Sequence, residues 1–306
     1  MTIPPVLNIG SINEDRVYHV PHIARAGETV AGTEFAIFPG GKGANQSVAL
    51  AHAGVPVFHA GKIGTDGRWL RQRLEKEGVN TAFVDEDDAP TGHANIQVDA
   101  GGENSIVLFG GTNRRLDLAR MDAAISQFPE NSTVLLQNEV NLVPDLIAAG
   151  HRQGMTVCFN PAPMTDAVHH YPLEKVDVFF LNTLEAAALA GNRDTPDNLL
   201  RALRTRLPRA TLVITLGSDG ALYDRKDEAG RISAVPVEPV DTTAAGDTFI
   251  GFCLAAMLEA KPLAEAVRFG CRAAACAVTV NGAMSSIPQR AEVERAMDER
   301  RRDETP

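Results

Sequence analysis

Short apolar runs recur along the chain, and each of them ends in small or polar residues. Runs of this length, closed by turn-forming residues, are typical of strands buried in a parallel sheet. Segments of helical character, such as residues 144–153, lie between the runs, and this alternation predicts an α/β fold with a mainly parallel central sheet flanked by helices. The runs assigned to central strands are residues 6–9, 133–136, 157–159, 178–181 and 212–216.

Two segments, which we call the two excursions, do not follow this alternation of apolar runs and helical segments. Residues 14–37 contain glycines and β-forming residues, and residues 91–112 alternate apolar and polar positions on both sides of an Asp-Ala-Gly-Gly-Glu-Asn turn. Together they predict a small β-sheet outside the main one, which we expect to act as a lid or to contact another subunit. The length of 306 residues fits one α/β domain, residues 1–306, with this sheet as a lid sub-domain.

The composition excludes several classes of function. The formal charge is 29 − 39 = −10, which disfavours nucleic acid and anionic membranes as partners. The four cysteines lack C-x-x-C spacing, the histidines lack zinc-site spacing, and no apolar stretch approaches about 20 residues, so we expect a cytoplasmic protein without zinc. A phosphate-bearing small ligand remains possible, because helix N-termini bind anions whatever the net charge.

Polar residues follow the predicted strands at the point where each strand ends. Ligands of open α/β sheets bind beyond the carboxyl ends of the strands, so we expect these residues to share one edge and to form the site. They are Asn13, Asn138, Glu139, Asn160, Asn182 and Gly217.

The run Asp-Thr-Thr-Ala-Ala-Gly-Asp at residues 241–247 precedes a helix-like segment, residues 248–258. Gly246 permits a tight turn, so the N–H groups of Ala244, Ala245 and Gly246 are expected to form an anion hole at a helix start. Asp247 then lies beside the place where a phosphoryl group would be held. From this run alone, Asp247 is either a catalytic base or a helix-capping residue.

A second glycine-rich run, Phe-Pro-Gly-Gly-Lys-Gly-Ala-Asn-Gln at residues 38–46, also precedes a helix-like segment. Its glycines bring the backbone close to a ligand, and Lys42 and Asn45 supply donors and an acceptor for hydroxyls or phosphate. The run is not a Walker A loop, and residues 10–14 are not a G-x-G-x-x-G fingerprint. Asn13, Asp15 and Glu139 are suited to vicinal hydroxyls.

The segments 10–15, 40–45 and 241–247 together resemble the ribokinase group of the PfkB-type carbohydrate kinases, and the likeness extends from about residue 6 to residue 290. The resemblance implies a Rossmann-like α/β core with a β lid that often forms a dimer interface. It also implies transfer of the ATP γ-phosphoryl group to the 5-hydroxyl of ribose, with ATP and Mg²⁺ required and K⁺ a possible activator.

The resemblance further implies roles for individual residues. It gives Asp247 as the base beside the Ala244-Ala245-Gly246 anion hole, and Asn182 and Glu185 as organisers of phosphate and water-bound Mg²⁺. The sugar contacts that it implies are Asn13, Asp15, Gly41, Lys42, Asn45, Glu139 and Asp247. The nucleotide contacts are Thr215, Leu216, Gly217, Ser218, Asp219, Gly220 and Cys271, together with Asn182, Glu185, Ala245 and Gly246. The monovalent-cation loop comprises Asp241, Thr243, Ala277, Val280, Gly282 and Ser286.

The sequence departs from the family pattern at three places. Ala244 stands where many relatives have glycine, Thr183 replaces a common acidic residue, and Cys271 replaces a polar or aromatic residue near the adenine. Two other functions stay open at this point. One is phosphorylation of another small sugar or a nucleoside, such as deoxyribose, fructose or an adenosine-like compound. The other is a non-catalytic sugar or nucleotide sensor on a kinase fold.

Overall fold

A sheet of nine strands runs through the centre of the chain, in the spatial order β13-β12-β11-β10-β9-β8-β1-β4-β5. The computed structural model describes residues 3–303, with side-chain surroundings for residues 3–296. Residues 1, 2 and 304–306 of the predicted single domain lie outside this range. Numbered in chain order, the strands of this sheet are β1 (Val6–Ile9), β4 (Val57–Gly64), β5 (Asn80–Asp87), β8 (Thr133–Gln137), β9 (Thr156–Asn160), β10 (Val178–Asn182), β11 (Thr211–Thr215), β12 (Ala221–Arg225) and β13 (Glu228–Ile232).

The strands from β5 to β11 pair in parallel, and the two antiparallel pairs, β11 with β12 and β12 with β13, lie at one edge. All five strands predicted from apolar runs are present, with ends that differ by one residue at most. Side chains alternate between the two faces, so Val6 belongs to the apolar core on one side and Leu7 to the core on the other. The predicted fold class is confirmed.

Helices cover both faces of this sheet. The core on one face includes Val48, Leu70, Phe252 and Val267, and the core on the other includes Ile147. The helices are α1 (Lys42–His52), α2 (Arg68–Lys76), α3 (Leu118–Ile125), α4 (Val143–Arg152), α5 (Thr183–Ala190), α6 (Pro196–Arg206), α7 (Ala245–Leu258), α8 (Leu263–Ala277) and α9 (Arg290–Asp303). Short 3₁₀ turns occupy Thr65–Gly67, Gly111–Arg114, Asp166–His170, Leu173–Lys175, Gly217–Asp219 and Met284–Ser286.

The two excursions form a separate sheet, which we call the small sheet. Its strands are β2 (Asn13–His19), β3 (Glu34–Gly40), β6 (Gly92–Val98) and β7 (Asn104–Phe109), in the order β3-β2-β6-β7. Strand β2 begins four residues after β1 ends, so the small sheet starts at the carboxyl edge of the central sheet. Among the described residues, no helix is long and apolar enough to cross a membrane.

Candidate active site

The N-termini of helices α1 and α7 meet at the carboxyl edge of the central sheet, and Asp247 lies where they meet. Asn45 donates from Nδ2 to Asp247 Oδ2 over 3.1 Å. Gln46 donates from Nε2 to Asp247 Oδ1 over 2.9 Å. Helix α7 begins after Ala244 without a side-chain cap, so Asp247 is not a capping residue, and the capping alternative is contradicted.

Burial raises the pKa of Asp247, while the charge of Lys42 and the hydrogen bonds from Gln46 and Asn45 work in the opposite direction. Burial lowers the pKa of Lys42, but the carboxylates of Glu139 and Asp247 outweigh it, so that this pKa is raised. Lys42 therefore keeps its charge beside Asp247. A carboxylate next to a fixed cation at a helix start is suited to phosphoryl transfer to a hydroxyl.

The turn before helix α7 differs from the expected one. The left-handed residue is Ala244, with φ 59°, and Gly246 does not have a positive φ. A Cβ on Gly246 would meet no atom within 4 Å, so this glycine leaves open space instead of making the turn.

The anion hole also differs in its donors. The N–H of Ala245 donates to the carbonyl of Thr242 over 3.2 Å. Within the described residues no acceptor is found for the N–H groups of Ala244, Gly246 and Asp247, as expected at the start of a helix. These three groups, beside the bare surface of Gly246, are the donors available to an anion, so that only Ala245 among the predicted donors is engaged elsewhere.

The predicted sugar contacts lie together on the other side of Asp247. Glu139 accepts hydrogen bonds from the Ser11 hydroxyl and from the Lys42 N–H at 3.0 Å, and Lys42 Nζ lies 3.7 Å from Glu139 Oε1. Asn13 is buried and accepts from Asn113 Nδ2 over 2.7 Å. Gly41, with φ 94°, ends the loop at the start of helix α1.

The surroundings of two predicted sugar contacts, Asn45 and Asp15, favour a ligand that carries hydroxyl groups. The side-chain oxygen of Asn45 is buried and has no hydrogen-bond partner within the described residues, although such groups are nearly always paired. Burial, followed by the charge of Glu139, raises the pKa of Asp15 to about 7, and Lys42 offsets this only in part. A ligand hydroxyl would supply Asn45 with a donor and Asp15 with hydrogen bonds that favour its ionised form.

Asn182 and Glu185 form a capping box at the start of helix α5. Glu185 Oε2 accepts from the Asn182 N–H at 3.0 Å, and Oε1 accepts from Asn182 Nδ2 at 2.8 Å. Asn160 donates to Glu185 Oε2 over 3.3 Å. Burial raises the pKa of Glu185. Since its oxygens are already engaged, contact with a cation through water suits it better than direct coordination.

Two cavities meet at the start of helix α7. The smaller one, of about 170 Å³, is lined by Lys42, Glu185 and Asp247, among others. The larger one, of about 320 Å³, is mostly apolar and is lined by Val237, Phe249 and Ala274, among others. Thr215 and Gly246 belong to the walls of both.

The larger cavity contains most of the predicted nucleotide contacts. Those that line it are Thr215, Gly217, Ser218, Gly220, Ala245, Gly246 and Cys271. Leu216 and Asp219 are not in its wall; Leu216 packs against the apolar core. Their predicted contact with the nucleotide is therefore not supported by the position of their side chains.

The predicted cation loop is held together by Asp241. This carboxylate accepts from the Thr243 N–H at 2.9 Å and from the Gly282 N–H at 2.9 Å, which joins the two segments. The carbonyl of Ala277 accepts from the Val280 N–H, and the Ser286 hydroxyl donates to Ala283. Among the described residues, no three His, Cys, Asp or Glu side chains group as metal ligands.

Some residues of the site were not assigned a role from the sequence. Gln46 contacts Asp247 directly, and Ser11 and Asn113 hold Glu139 and Asn13. Gln46 follows the assigned Asn45 and Ser11 lies two residues before Asn13, whereas nothing in the sequence marked Asn113. In contrast, Asn138 is turned away, because it donates to the Pro163 carbonyl and to Thr165.

The chain is similar in sequence and in fold to known proteins. The family model described as pfkB family carbohydrate kinase matches residues 5–290. The chain is 38% identical over 292 residues to the ribokinase of Haemophilus influenzae, covering 93% of this chain and 95% of the relative. It is 33% identical over 289 residues to the deoxyribokinase of Salmonella typhi, covering 92% and 94%. The solved structure of Arabidopsis thaliana ribokinase complexed with ribose and ATP matches with a TM-score of 0.85 at 29% identity, covering 96% and 98%.

Proposed function

The chain belongs to the pfkB family of carbohydrate kinases and is a phosphotransferase that acts on a hydroxyl group, and we propose that it phosphorylates the 5-hydroxyl of D-ribose with the γ-phosphoryl group of MgATP. The products are ribose 5-phosphate and ADP. The observation that carries this proposal is the position of Asp247, between an apolar cavity on one side and a set of hydroxyl-binding side chains on the other.

Asp247 acts as the base in this proposal. It accepts the proton of the sugar hydroxyl as the oxygen of that hydroxyl attacks the γ-phosphorus, and the bond from phosphorus to the β,γ-bridging oxygen breaks. Phosphoryl transfer depends more on positioning than on basicity, so a carboxylate held by Asn45 and Gln46 suffices. The free N–H groups at Gly246 and Asp247 stabilise the charge on the transferred group.

The polar residues around the smaller cavity suit a hydrated Mg²⁺ that arrives with the nucleotide. Mg²⁺ usually keeps several waters and takes one or two carboxylates besides the phosphates, and Glu185, in the wall of this cavity, is the carboxylate proposed to contact it through water. Bound Mg²⁺ would neutralise charge on the phosphate oxygens. Asn182 and Asn160 keep Glu185 oriented towards this place.

The sugar is proposed to contact Asn13, Asp15 and Glu139 at its ring hydroxyls, with Lys42 and Asn45 nearer to Asp247. The unpaired Asn45 oxygen and the raised pKa of Asp15 support a ligand that brings hydroxyl groups. The similarity to a deoxyribokinase supports a second candidate, deoxyribose. The two sugars differ in one hydroxyl, so the ratio of their kcat/KM values separates the candidates.

The loop held by Asp241 is proposed to bind K⁺ through backbone carbonyls of Thr243, Ala277, Val280 and Gly282, with Ser286 nearby. The support is that Asp241 joins its two segments beside helix α7. K⁺ bound there would steady the anion hole, which starts one residue after Thr243. We also propose a homodimer through the small sheet, and a cytoplasmic location in keeping with four cysteines in the thiol form.

The experiment that tests the function is a coupled assay of ADP release with MgATP, over ribose, deoxyribose, fructose and adenosine, with and without K⁺. The expected result is the highest kcat/KM on ribose and loss of turnover when Mg²⁺ is chelated. Release of ADP on none of the substrates, combined with sugar binding in calorimetry, would instead support a sensor. A higher kcat/KM on deoxyribose than on ribose would replace the proposed substrate.

A further inference from the structure

Gln46 lies directly beneath Asp247 and is fully buried. Its amide nitrogen donates to Asp247 Oδ1 over 2.9 Å and to Asn160 Oδ1 over 3.3 Å. Gln46 lines neither cavity of the site. An amide has a donor end and an acceptor end, and only the donor end stabilises a carboxylate. The orientation of this amide therefore decides whether Asp247 Oδ1 accepts a hydrogen bond from Gln46.

Gln137, at the end of strand β8, determines this orientation. Its nitrogen donates to Gln46 Oε1 over 2.7 Å and to Asn8 Oδ1 over 3.0 Å. Asn8 cannot turn round, because its own nitrogen donates to the Gly43 carbonyl over 2.7 Å and to the Ser47 hydroxyl over 2.8 Å. Asn8 therefore presents its oxygen to Gln137, and Gln137 must donate a hydrogen bond from its nitrogen.

Gln46, Gln137, Asn8, Ser47 and His59 form a row of hydrogen-bonded side chains, which ends at the backbone carbonyl of Gly10. The ring of His59 is fully buried and bonds to Ser47 through Nδ1 over 2.8 Å and to the Gly10 carbonyl through Nε2 over 3.2 Å. Because a carbonyl only accepts, Nε2 carries the proton, and Nδ1 accepts from the Ser47 hydroxyl. Burial lowers the pKa of His59 to about 4, so the ring stays neutral near neutral pH.

The geometry points to Gln137 as a positioning residue for the base: through Gln46 it holds a hydrogen-bond donor against Asp247 without contacting sugar or nucleotide. This inference rests on the proposed function, in which Asp247 is the base. Hydrogen bonds are donated outwards from Gln137, on one side through Gln46 to Asp247 and on the other through Asn8 and Ser47 to His59. The Gly10 carbonyl beyond His59 only accepts, and it therefore sets the donors on that side up to the nitrogen of Gln137.

Reversal of the hydrogen bond between Gln137 and Gln46 is expected to raise the pKa of Asp247. Gln137→Glu replaces the donor with a carboxyl group that accepts when ionised, so the Gln46 amide turns its nitrogen away from Asp247 and its oxygen towards it. Asp247 then loses one hydrogen bond and its pKa rises. Gln46→Met removes the same donor directly at nearly the same volume. The other charged groups that face Asp247, namely Lys42, Glu139, Asp15 and Glu185, are unchanged in both variants.

The test is the pH profile of kcat at saturating ribose and MgATP, where the titration of Asp15 in the free protein does not contribute. We expect the acid limb to move to higher pH by about one unit in Gln46→Met and Gln137→Glu, as for the loss of one hydrogen bond to a charged group. The KM for ribose should change less than about threefold, because neither side chain contacts the sugar.

The matched control is Asn138→Asp. It makes the same change from amide to acid at the next residue of the same strand end, but the Asn138 side chain bonds to Pro163, Thr165 and Tyr171 and not to the row. Its acid limb should stay where the wild type has it. Thermal unfolding of each variant identifies any that fail to fold, and Gln137→Met then serves in place of Gln137→Glu.

The outcomes separate this inference from the proposed function. An unmoved acid limb in folded Gln46→Met and Gln137 variants, with an active wild type and an inactive Asp247→Ala, overturns the inference alone. An equal movement in Asn138→Asp also overturns it, because the effect would then come from added charge. Full activity of Asp247→Ala would overturn the proposed function itself.

Discussion

The carboxyl group of Asp15 lies directly against the backbone of Gly40, across strands β2 and β3. A Cβ on Gly40 would overlap the carboxyl carbon of Asp15, and Asp15 Oδ1, the most distant of the three carboxyl atoms, would lie only 2.6 Å from that Cβ. Asp15 can therefore keep its position only while residue 40 has no side chain. We expect Gly40→Ala to push Asp15 out of the sugar site and to raise the KM for ribose roughly tenfold, with a smaller effect on kcat.

Steady-state kinetics on ribose check this expectation. The matched control is Gly32→Ala, before the same strand, where the nearest atom to a new Cβ is the His19 carbonyl at 3.4 Å. Its kinetics should equal those of the wild type. An unchanged KM in folded Gly40→Ala would contradict the contact between Asp15 and the sugar.

The carboxylate of Asp247 is expected to act in the transition state more than in sugar binding. Asp247→Ala should lower kcat by about a thousandfold or more, while the dissociation constant for ribose changes only a few-fold. ADP release gives the first quantity and calorimetry the second. Asp122→Ala, which removes a partly exposed carboxylate from helix α3, should leave both unchanged. Near-normal turnover of Asp247→Ala would exclude it as the base.

The sequence predicted the central strands well because each one is a run of apolar residues, and a strand buried on both faces leaves this signature. It also indicated the edge at which the site lies, because the carboxyl ends of parallel strands share an edge, although Asn138 of the predicted set points away from the site. The small sheet was recognisable from the turn within residues 91–112.

The hydrogen-bonding row behind Asp247 could not be predicted. Gln46 and Gln137 are far apart in the chain, and their amides meet only because helix α1 packs against the end of strand β8. The turn at Ala244 was also misjudged, since glycine is the usual residue with positive φ and Gly246 was the nearest one. The sequence also does not show in which direction a side chain points after a strand ends. Asn138 follows strand β8, but its side chain points away from the site, towards Pro163.

The raised pKa of Asp15 links folding to pH. Its pKa is about 7 in the folded protein and 3.8 for an unperturbed group, so the folded state binds a proton between these values that the unfolded state has released. This contribution to stability is fully present below pH 3.8 and is lost as the pH rises through about 7. We therefore expect Asp15→Asn to be more stable than the wild type at pH 8, relative to their difference at pH 4.5.

Thermal unfolding of both proteins across this pH range measures the difference. Sugar affinity should respond in the opposite way in the wild type, because the ionised carboxylate accepts hydrogen bonds from hydroxyls. The dissociation constant for ribose should fall between pH 6 and pH 8. A flat profile in the wild type, or the same slope in Asp15→Asn, would show that Asp15 does not titrate there.

The left-handed conformation of Ala244, φ 59°, carries strain that glycine would not have. We expect Ala244→Gly to raise the free energy of unfolding by up to about 1 kcal/mol, after the greater freedom of glycine in the unfolded chain is subtracted. Ala123→Gly, at an exposed right-handed position of helix α3, should lower it by about 0.5–1 kcal/mol. Denaturant unfolding measures both, and equal destabilisation by the two changes would argue against the left-handed turn.

The last prediction concerns the proposed dimer and the face of the small sheet that carries Asp15. Strand pairing places Val17, Ile96, Ile106 and Leu108 on that face, and Ile106 is 55% exposed. The opposite face mixes polar and apolar side chains: its central strands carry Arg16, Asn95 and Gln97, and exposed apolar residues stand beside them, namely Tyr18, Phe35, Ile37, Val107 and Phe109. An exposed apolar face of this kind is typical of an interface between subunits.

We expect the wild type to show twice the chain mass of 32.7 kDa in light scattering, and Ile106→Glu to show the mass of one chain. A charge buried at the centre of an apolar interface has no partner and opposes association. Val107→Glu is the matched control, because Val107 is 65% exposed on the other face of the same strand. A dimer lost in Val107→Glu but kept in Ile106→Glu would move the interface to the opposite face, and a monomeric wild type would contradict the dimer.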